Sequence, residues 1–253
     1  MWYFAYLRII MNNKNILIAI TSDTRESSIV NFVSDSMKGS NLHITLCIIH
    51  NSVPVELDEL LDKVSLACEE NGVTVRIRHL VKDPYRDLEN QTAYADLLII
   101  QKETIRPLAI KDEFGHPGCA IMVLPADFTS IENIILVLDG SRDSIAAIKQ
   151  FFQVFSSQIR DVKLTLLSVF SDIEKSGSPE NEHMLIQYLK QYSSNVGLLK
   201  AKRPLTAKIL KPAEYDKRTL VVGTSGFMLS QYGNESDFKP FFDDRSSLFL
   251  PAV

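Results

Sequence analysis

A disulfide framework, a zinc-ligand cluster and the common nucleotide-fold signatures are all missing from this chain of 253 residues. The three cysteines, Cys47, Cys68 and Cys119, are odd in number, far apart and without a CxxC partner. That usage fits reduced, buried, inert thiols in a cytoplasmic protein rather than disulfides or zinc. The histidines lack ligand-spaced companions. Cys47 and His50 lie three apart on a strand and so point to opposite faces, while His43, His79, His116 and His183 stand alone. No metal site is expected. Gly-x-x-x-x-Gly-Lys-Ser/Thr, Gly-x-Gly-x-x-Gly and Gly-x-Ser-x-Gly are all absent, which removes the usual signatures of phosphoryl transfer, dinucleotide binding and the nucleophile elbow. The chain is therefore expected not to be an enzyme.

An excess of one charge is missing too. With 27 basic and 31 acidic residues the formal charge is −4, and no Lys/Arg cluster marks a nucleic-acid or anionic-membrane surface. Up to Asp127 there are 12 basic and 17 acidic residues, and beyond it 15 and 14, an asymmetry within ordinary surface variation. Long apolar runs are also lacking. Residues 2–10 are apolar but about half the length that spans a bilayer, with no basic leader and no small-residue cleavage site, so they read as non-targeting. Met11-Asn12-Asn13-Lys14 reads as a conventional soluble-protein opening, which makes residues 1–10 a candidate upstream start.

What is present, 45% hydrophobic residues, is enough for one large or two smaller packed domains. Residues 15–20 form a nearly continuous apolar run, as expected of a strand covered on both faces, and Thr21-Ser22-Asp23-Thr24 offers capping chemistry after it. Ile29, Phe32, Val33, Ser36 and Met37 then follow helical spacing, with Gly39 as a stop. Residues 42–49 are a second strand. Leu57, Leu60, Leu61, Val64 and Cys68 trace a second helix that Asn71-Gly72 ends, residues 73–81 alternate as a strand, and Asp83-Pro84 opens a third helix. Residues 96–100 and 120–125 supply strands four and five.

The order then starts again. Ile16-Leu17-Ile18-Ala19-Ile20 matches Ile134-Ile135-Leu136-Val137-Leu138 at an offset of 118, and His43-Ile44-Thr45-Leu46 matches Lys163-Leu164-Thr165-Leu166 at 120. The helical set recurs as Leu185, Tyr188, Leu189, Tyr192 and Val196, and Met122-Val123-Leu124-Pro125 is echoed by Leu248-Phe249-Leu250-Pro251. Slowly drifting offsets of this kind mark tandem copies of one unit. The boundaries expected are 11–127 and 128–253, joined near 126–132. In the second copy a strand near 206–211 followed by one at 220–222 leaves room only for a turn or loop, not the helix of the first copy. Alternating strands and helices imply right-handed crossovers and a doubly wound parallel sheet. The last strand of each copy, 120–125 and 248–253, is the expected pairing element, because an exposed edge invites augmentation.

The centre of the second copy is residues 133–144, in which an apolar strand runs into Asp139-Gly140-Ser141-Arg142-Asp143-Ser144 and then an amphipathic helix from 145 to 155. Such a turn puts backbone N–H groups and a carboxylate at the carboxyl end of a parallel strand, where open α/β sheets bind small molecules, and equally makes a helix cap. It also faintly resembles the Ser-Gly-Gly-x-Asp-Ser loop of PP-loop adenylating enzymes, with Ser141 in place of the second glycine. Together with Leu220-Val221-Val222-Gly223-Thr224-Ser225-Gly226 after the fourth strand, and over nearly all of residues 15–253, the chain resembles a tandem universal stress protein.

The resemblance implies two tandem doubly wound parallel-sheet domains of the adenine nucleotide alpha hydrolase-like, universal stress protein type, and a stress-linked, non-catalytic role. It puts Asp139 with Gly140 and Ser141 on the adenine side of an ATP or AMP site, and Gly223 and Gly226 in a phosphate loop, where glycine lets backbone N–H groups approach the anion. Nine residues on, where the family has Gly then Ser/Thr, stands Ser236-Asp237 with Glu235 before it, so acids would face the phosphates; Lys239 or Arg245 could offset them, and Gly233 or Ser230 could serve if the loop is re-registered. The first copy has Thr21 at the Asp position and Gln101-Lys102-Glu103-Thr104 at the glycine step, and is expected not to bind ATP. Two readings stay open: a nucleotide sensor in the second copy, or a degenerate scaffold acting through protein partners or self-association by the final strands. The aromatic group Tyr232, Phe238, Phe241, Phe242 and Phe249 is expected to be core or interface packing.

Overall fold

The computed structural model describes residues 14–21, 24–36, 42–49, 57–102, 117–155, 162–170, 179–202, 218–224 and 247–252. Its strands are β1 (Lys14–Ile20), β2 (Leu42–Ile49), β3 (Thr74–Leu80), β4 (Leu97–Gln101), β5 (Ala120–Leu124), β6 (Asn133–Leu138), β7 (Lys163–Phe170), β8 (Val196–Lys202), β9 (Thr219–Val222) and β10 (Ser247–Leu250). The described helices are α1 (Glu26–Ser36), α2 (Asp58–Glu70), α3 (Pro84–Thr92), α4 (Arg142–Phe155) and α5 (Pro179–Leu189).

All the described strands belong to one sheet in the order β3-β2-β1-β4-β5-β10-β9-β6-β7-β8. Every pairing is parallel except that of β5 with β10. The central strands read as apolar runs because both faces are covered. Ile16, Ile18 and Ile20 pack on one face with Phe32, Val64 and Phe152, whereas Leu17 and Ala19 pack on the other with Leu88. Chain termination of α2 follows the sequence closely: Gly72 takes φ +68°, and the N–H groups of Gly72 and Val73 return to the carbonyls of Glu69 and Cys68.

The two five-stranded halves meet at the antiparallel pair of final strands, as expected. Met122 faces Phe249, with Val123 against Leu248 and Ile121 against Leu250. Met122 is level with Ile99 and Ile18 in its half, and Phe249 with Val222 and Leu136 in the other, so Met122 and Phe249 are equivalent residues and a local twofold axis runs through their pair. The sequence echo that matched Met122 to Leu248 is therefore one residue out. A slip of one would exchange the faces: Met122 and Phe249 lie in one core layer, Leu248 in the other. Because β5 also pairs with β4, and β10 with β9, neither final strand retains a free edge for a second chain.

Aromatic rings back this joint. Phe249 lies 5.3 Å from Phe151 and 6.2 Å from Phe155, and Phe155 meets Phe32 of α1 at 6.5 Å. Phe249 is thus core, as expected; Tyr232, Phe238, Phe241 and Phe242 lie outside the described residues. Lys14, at the start of β1, crosses to the other half and donates to the carbonyls of Gln153 and Val154 at the end of α4, a cation where a helix C-terminus favours one. Burial pushes its ammonium below the ordinary value, which Asp96 partly offsets.

One further expectation in the second half is corrected. The matched helical spacing through Tyr192 and Val196 overruns, because α5 ends at Leu189, Tyr192 donates its N–H to the Leu189 carbonyl in a turn, and Val196 opens β8. Val196–Lys202 is the strand described between α5 and β9; the strand expected at 206–211 and the turn or loop expected after it lie outside the described residues. Ser193, with its hydroxyl donated to the Val162 carbonyl, marks the turn that the periodicity overlooked.

Candidate functional site

In each half the first strand lies between strands two and four, so the chain leaves it in opposite directions and opens a crevice at the carboxyl ends of strands one and four. In the second half these are β6 and β9. Leu136 is level with Val222, so Gly223 and Asp139 emerge from neighbouring strands at the same end of the sheet.

Asp139 forms the turn from its own carboxylate. Its Oδ1 accepts the Ser141 N–H at 3.0 Å and the Ser141 hydroxyl at 2.6 Å, and Gly140 between them takes φ +86°. The Ser141 Oγ in turn accepts the Ser144 N–H at 3.1 Å, and the Ser144 hydroxyl donates to the Ser141 carbonyl at 2.8 Å. Ser141 is therefore the N-cap of α4. Asp139 and Ser141 remain half-buried and Gly140 exposed. Gly223, buried, donates its N–H to the Phe249 carbonyl at 3.3 Å. The structure thus brings Asp139, Gly140, Ser141 and Gly223 to one end of the sheet; Gly226 and Ser236 lie outside the described residues.

The first half has the same crevice between β1 and β4, and fills it. Thr21, in the place of Asp139, is buried and donates its N–H to the Thr24 Oγ1 at 2.8 Å. Gln101, 0% exposed, reaches across to the mouth of α1: its Oε1 accepts the Arg25 N–H at 2.6 Å and its Nε2 donates to the Arg25 carbonyl at 2.7 Å. Ladder register also refines which residue stands where. Ile16 is level with Leu97 and Ile134 with Leu220, so Gly223 corresponds to Ile100 and Thr224 to Gln101, one place from the sequence-based match.

A second polar group, missed from sequence, sits in the second half. Glu182 of α5 is buried; its Oε1 accepts the Ser168 hydroxyl at 2.7 Å and its Oε2 lies 2.6 Å from the Lys200 Nζ. Burial pushes the carboxyl up, but the hydrogen bonds from Lys200 and Ser168 outweigh it and hold it below the usual glutamate value. Glu182 precedes Leu185 and Leu189 by three and seven, so an acid on the buried stripe of the helix was the available signal. Register puts Ile48 at the place of Ser168 in the first half, so the fold itself does not require the cluster.

The three cysteines are buried, and burial pushes Cys47 and Cys68 up to about 11 and Cys119 to about 12. Among the described residues no group of three or more His, Cys, Asp or Glu could hold a metal ion, and no helix is long and apolar enough to cross a membrane.

No family model and no curated protein matches the sequence. Solved structures do. A universal stress protein from Archaeoglobus fulgidus superposes with TM-score 0.60 at 9% identity, over 94% of this chain and 96% of that one. The fold is of the universal stress protein type. A functionally unknown protein from Pseudomonas aeruginosa matches with TM-score 0.56 at 14% identity, over 96% and 94% of the two chains. The cytoplasmic domain of a prokaryotic cation chloride cotransporter matches with TM-score 0.53 at 12% identity, over 95% of each. Likeness over nearly the whole length of both partners covers the paired halves together.

Proposed function

We propose that this protein is a non-catalytic, universal-stress-protein-like binding protein, and that its second half takes an adenine nucleotide, ATP or AMP, at the carboxyl ends of β6 and β9. The observation that carries the reading is the contrast between the two crevices. Asp139 flanks the second, with Gly223 where the first has Ile100 and Thr224 where the first has Gln101, whose amide ties the first crevice to the Arg25 backbone. The stoichiometry is therefore one nucleotide per chain.

A second reading has its own support. Asp139 and Ser141 already spend hydrogen bonds on capping α4, so the same residues serve a helix without any ligand. In that reading the chain is a scaffold acting through protein contacts, in keeping with the same architecture in a transporter's cytoplasmic domain.

Chromatography of nucleotide released from the purified protein, followed by thermal shift with ATP and AMP, separates the two. A ligand at a hundred times its Kd stabilises by about 2.7 kcal/mol, which for a chain of this size is a rise of roughly 5–10 °C. Asp139→Ala should abolish the shift. No released nucleotide and no shift at millimolar ligand leave the scaffold.

A further inference from the structure

We propose that the crevice between β6 and β9 selects an uncharged purine nucleoside, and that phosphates on the ligand weaken its binding. The inference rests on the adenine-nucleotide reading of the second half and decides which part of the nucleotide that half recognises. A phosphate site is built from backbone N–H groups and cations aimed at the anion. Here three of the N–H groups at the crevice are already engaged. Gly223 donates to the Phe249 carbonyl, Ser141 to the Asp139 Oδ1 and Ser144 to the Ser141 Oγ.

What the turn presents instead is negative charge. Arg142 and Asp143 carry the other N–H groups of the first turn of α4, and the Asp139 and Asp143 carboxylates stand at that same end, offsetting the positive pole of the helix from which an anion would otherwise gain. Arg142 is the single cation of residues 139–144, against two acids. Lys200, level with Leu138 through Ser168, is held by Glu182 at 2.6 Å. The connection from β9 to β10, residues 225–246, adds four acidic residues, Glu235, Asp237, Asp243 and Asp244, against two basic ones, Lys239 and Arg245.

Hydrogen-bond polarity then selects the ligand. An ionised carboxylate only accepts. A nucleoside brings donors without charge, namely the exocyclic amine of adenine and the ribose hydroxyls. Phosphorylation converts one of those hydroxyls into an anionic acceptor, which meets engaged donors and like charges. ATP is therefore held by its adenosine part alone, and the triphosphate subtracts from that affinity.

The test is calorimetric titration of the full chain with adenosine, AMP and ATP, each with and without magnesium. Adenosine should bind at least as tightly as AMP and about tenfold more tightly than ATP at low ionic strength, and the gap to ATP should narrow as salt screens the repulsion. Asp143→Asn, an exposed change in the first turn of α4, should tighten ATP about two- to fivefold and leave adenosine unchanged. ATP binding as tight as adenosine or tighter, ATP affinity that falls as salt rises, or a gap indifferent to both salt and Asp143→Asn would overturn the proposal while keeping the nucleotide reading. Failure of all three compounds to bind overturns both and leaves the scaffold.

Discussion

Gln101 offers the sharpest test of why the two crevices differ. Its side chain is fully buried and both ends of its amide are committed to the backbone of Arg25 at the entrance to α1. Gln101→Ala removes both hydrogen bonds, each worth about 0.5–1.5 kcal/mol net, and the burial of the side-chain methylene at about 0.8 kcal/mol. Arg25 is itself exposed, so water can partly re-satisfy its N–H and carbonyl, which holds the sum to about 2–3 kcal/mol. Gln101→Met keeps most of the volume and isolates the hydrogen bonds, with an expected cost of about 1–2 kcal/mol. Urea unfolding read by both fluorescence and circular dichroism measures these costs as a fall in midpoint at unchanged slope. Costs within about 0.5 kcal/mol of zero for both variants would refute the claim that Gln101 fills and fastens this crevice. Neither variant should gain nucleotide binding, because Thr21 supplies no carboxylate.

Phe249→Ala, at the local twofold axis and against Phe151 and Phe155, should cost about 3–5 kcal/mol and separate the unfolding of the two halves in calorimetry. Glu182→Ala should cost about 1–3 kcal/mol, since the buried Ser168 hydroxyl loses its acceptor, whereas Glu182→Leu with Ser168→Ala should lie within about 1 kcal/mol of the parent in thermal unfolding. The lowered Glu182 value means that its stabilisation is present above the ordinary glutamate pKa of about 4.3 and is lost as pH falls through the folded value, so the parent should lose more stability in acid than the double variant. Iodoacetamide should leave Cys47, Cys68 and Cys119 unlabelled in the native protein at neutral pH and label all three in urea, as counted by intact mass.

The periodicity of local segments was legible wherever burial acted on a single element. The apolar run of residues 42–49 appears as β2 without change, and Asn71-Gly72 stops α2 at the expected place. Errors arose where two periodic signals overlapped. Val196 satisfied the spacing of the helix before it and also begins β8, and helical spacing alone could not choose between them. Matching Pro125 with Pro251 set the final strands one residue out, because a proline after a strand marks its end without reporting which face its neighbours occupy. Within the candidate site, Asp139 and Gly223 were readable from composition and order. The use of Asp139 as an acceptor for Ser141 was only one of two open possibilities, and the Ser168–Glu182–Lys200 cluster joins residues of three elements that no local pattern connects.

By itself, then, the sequence determined the alternation of strands and helices, the repetition of the unit, and the loss of the acid and glycines from the first copy, because each is written in side chains close together along the chain. Tertiary structure alone decided the register at which the halves meet, which residue lies on their axis, and what occupies the first crevice. Those outcomes depend on strand register and on groups such as the Gln101 side chain and the Arg25 backbone, 76 positions apart, reaching the same point only once the sheet has formed.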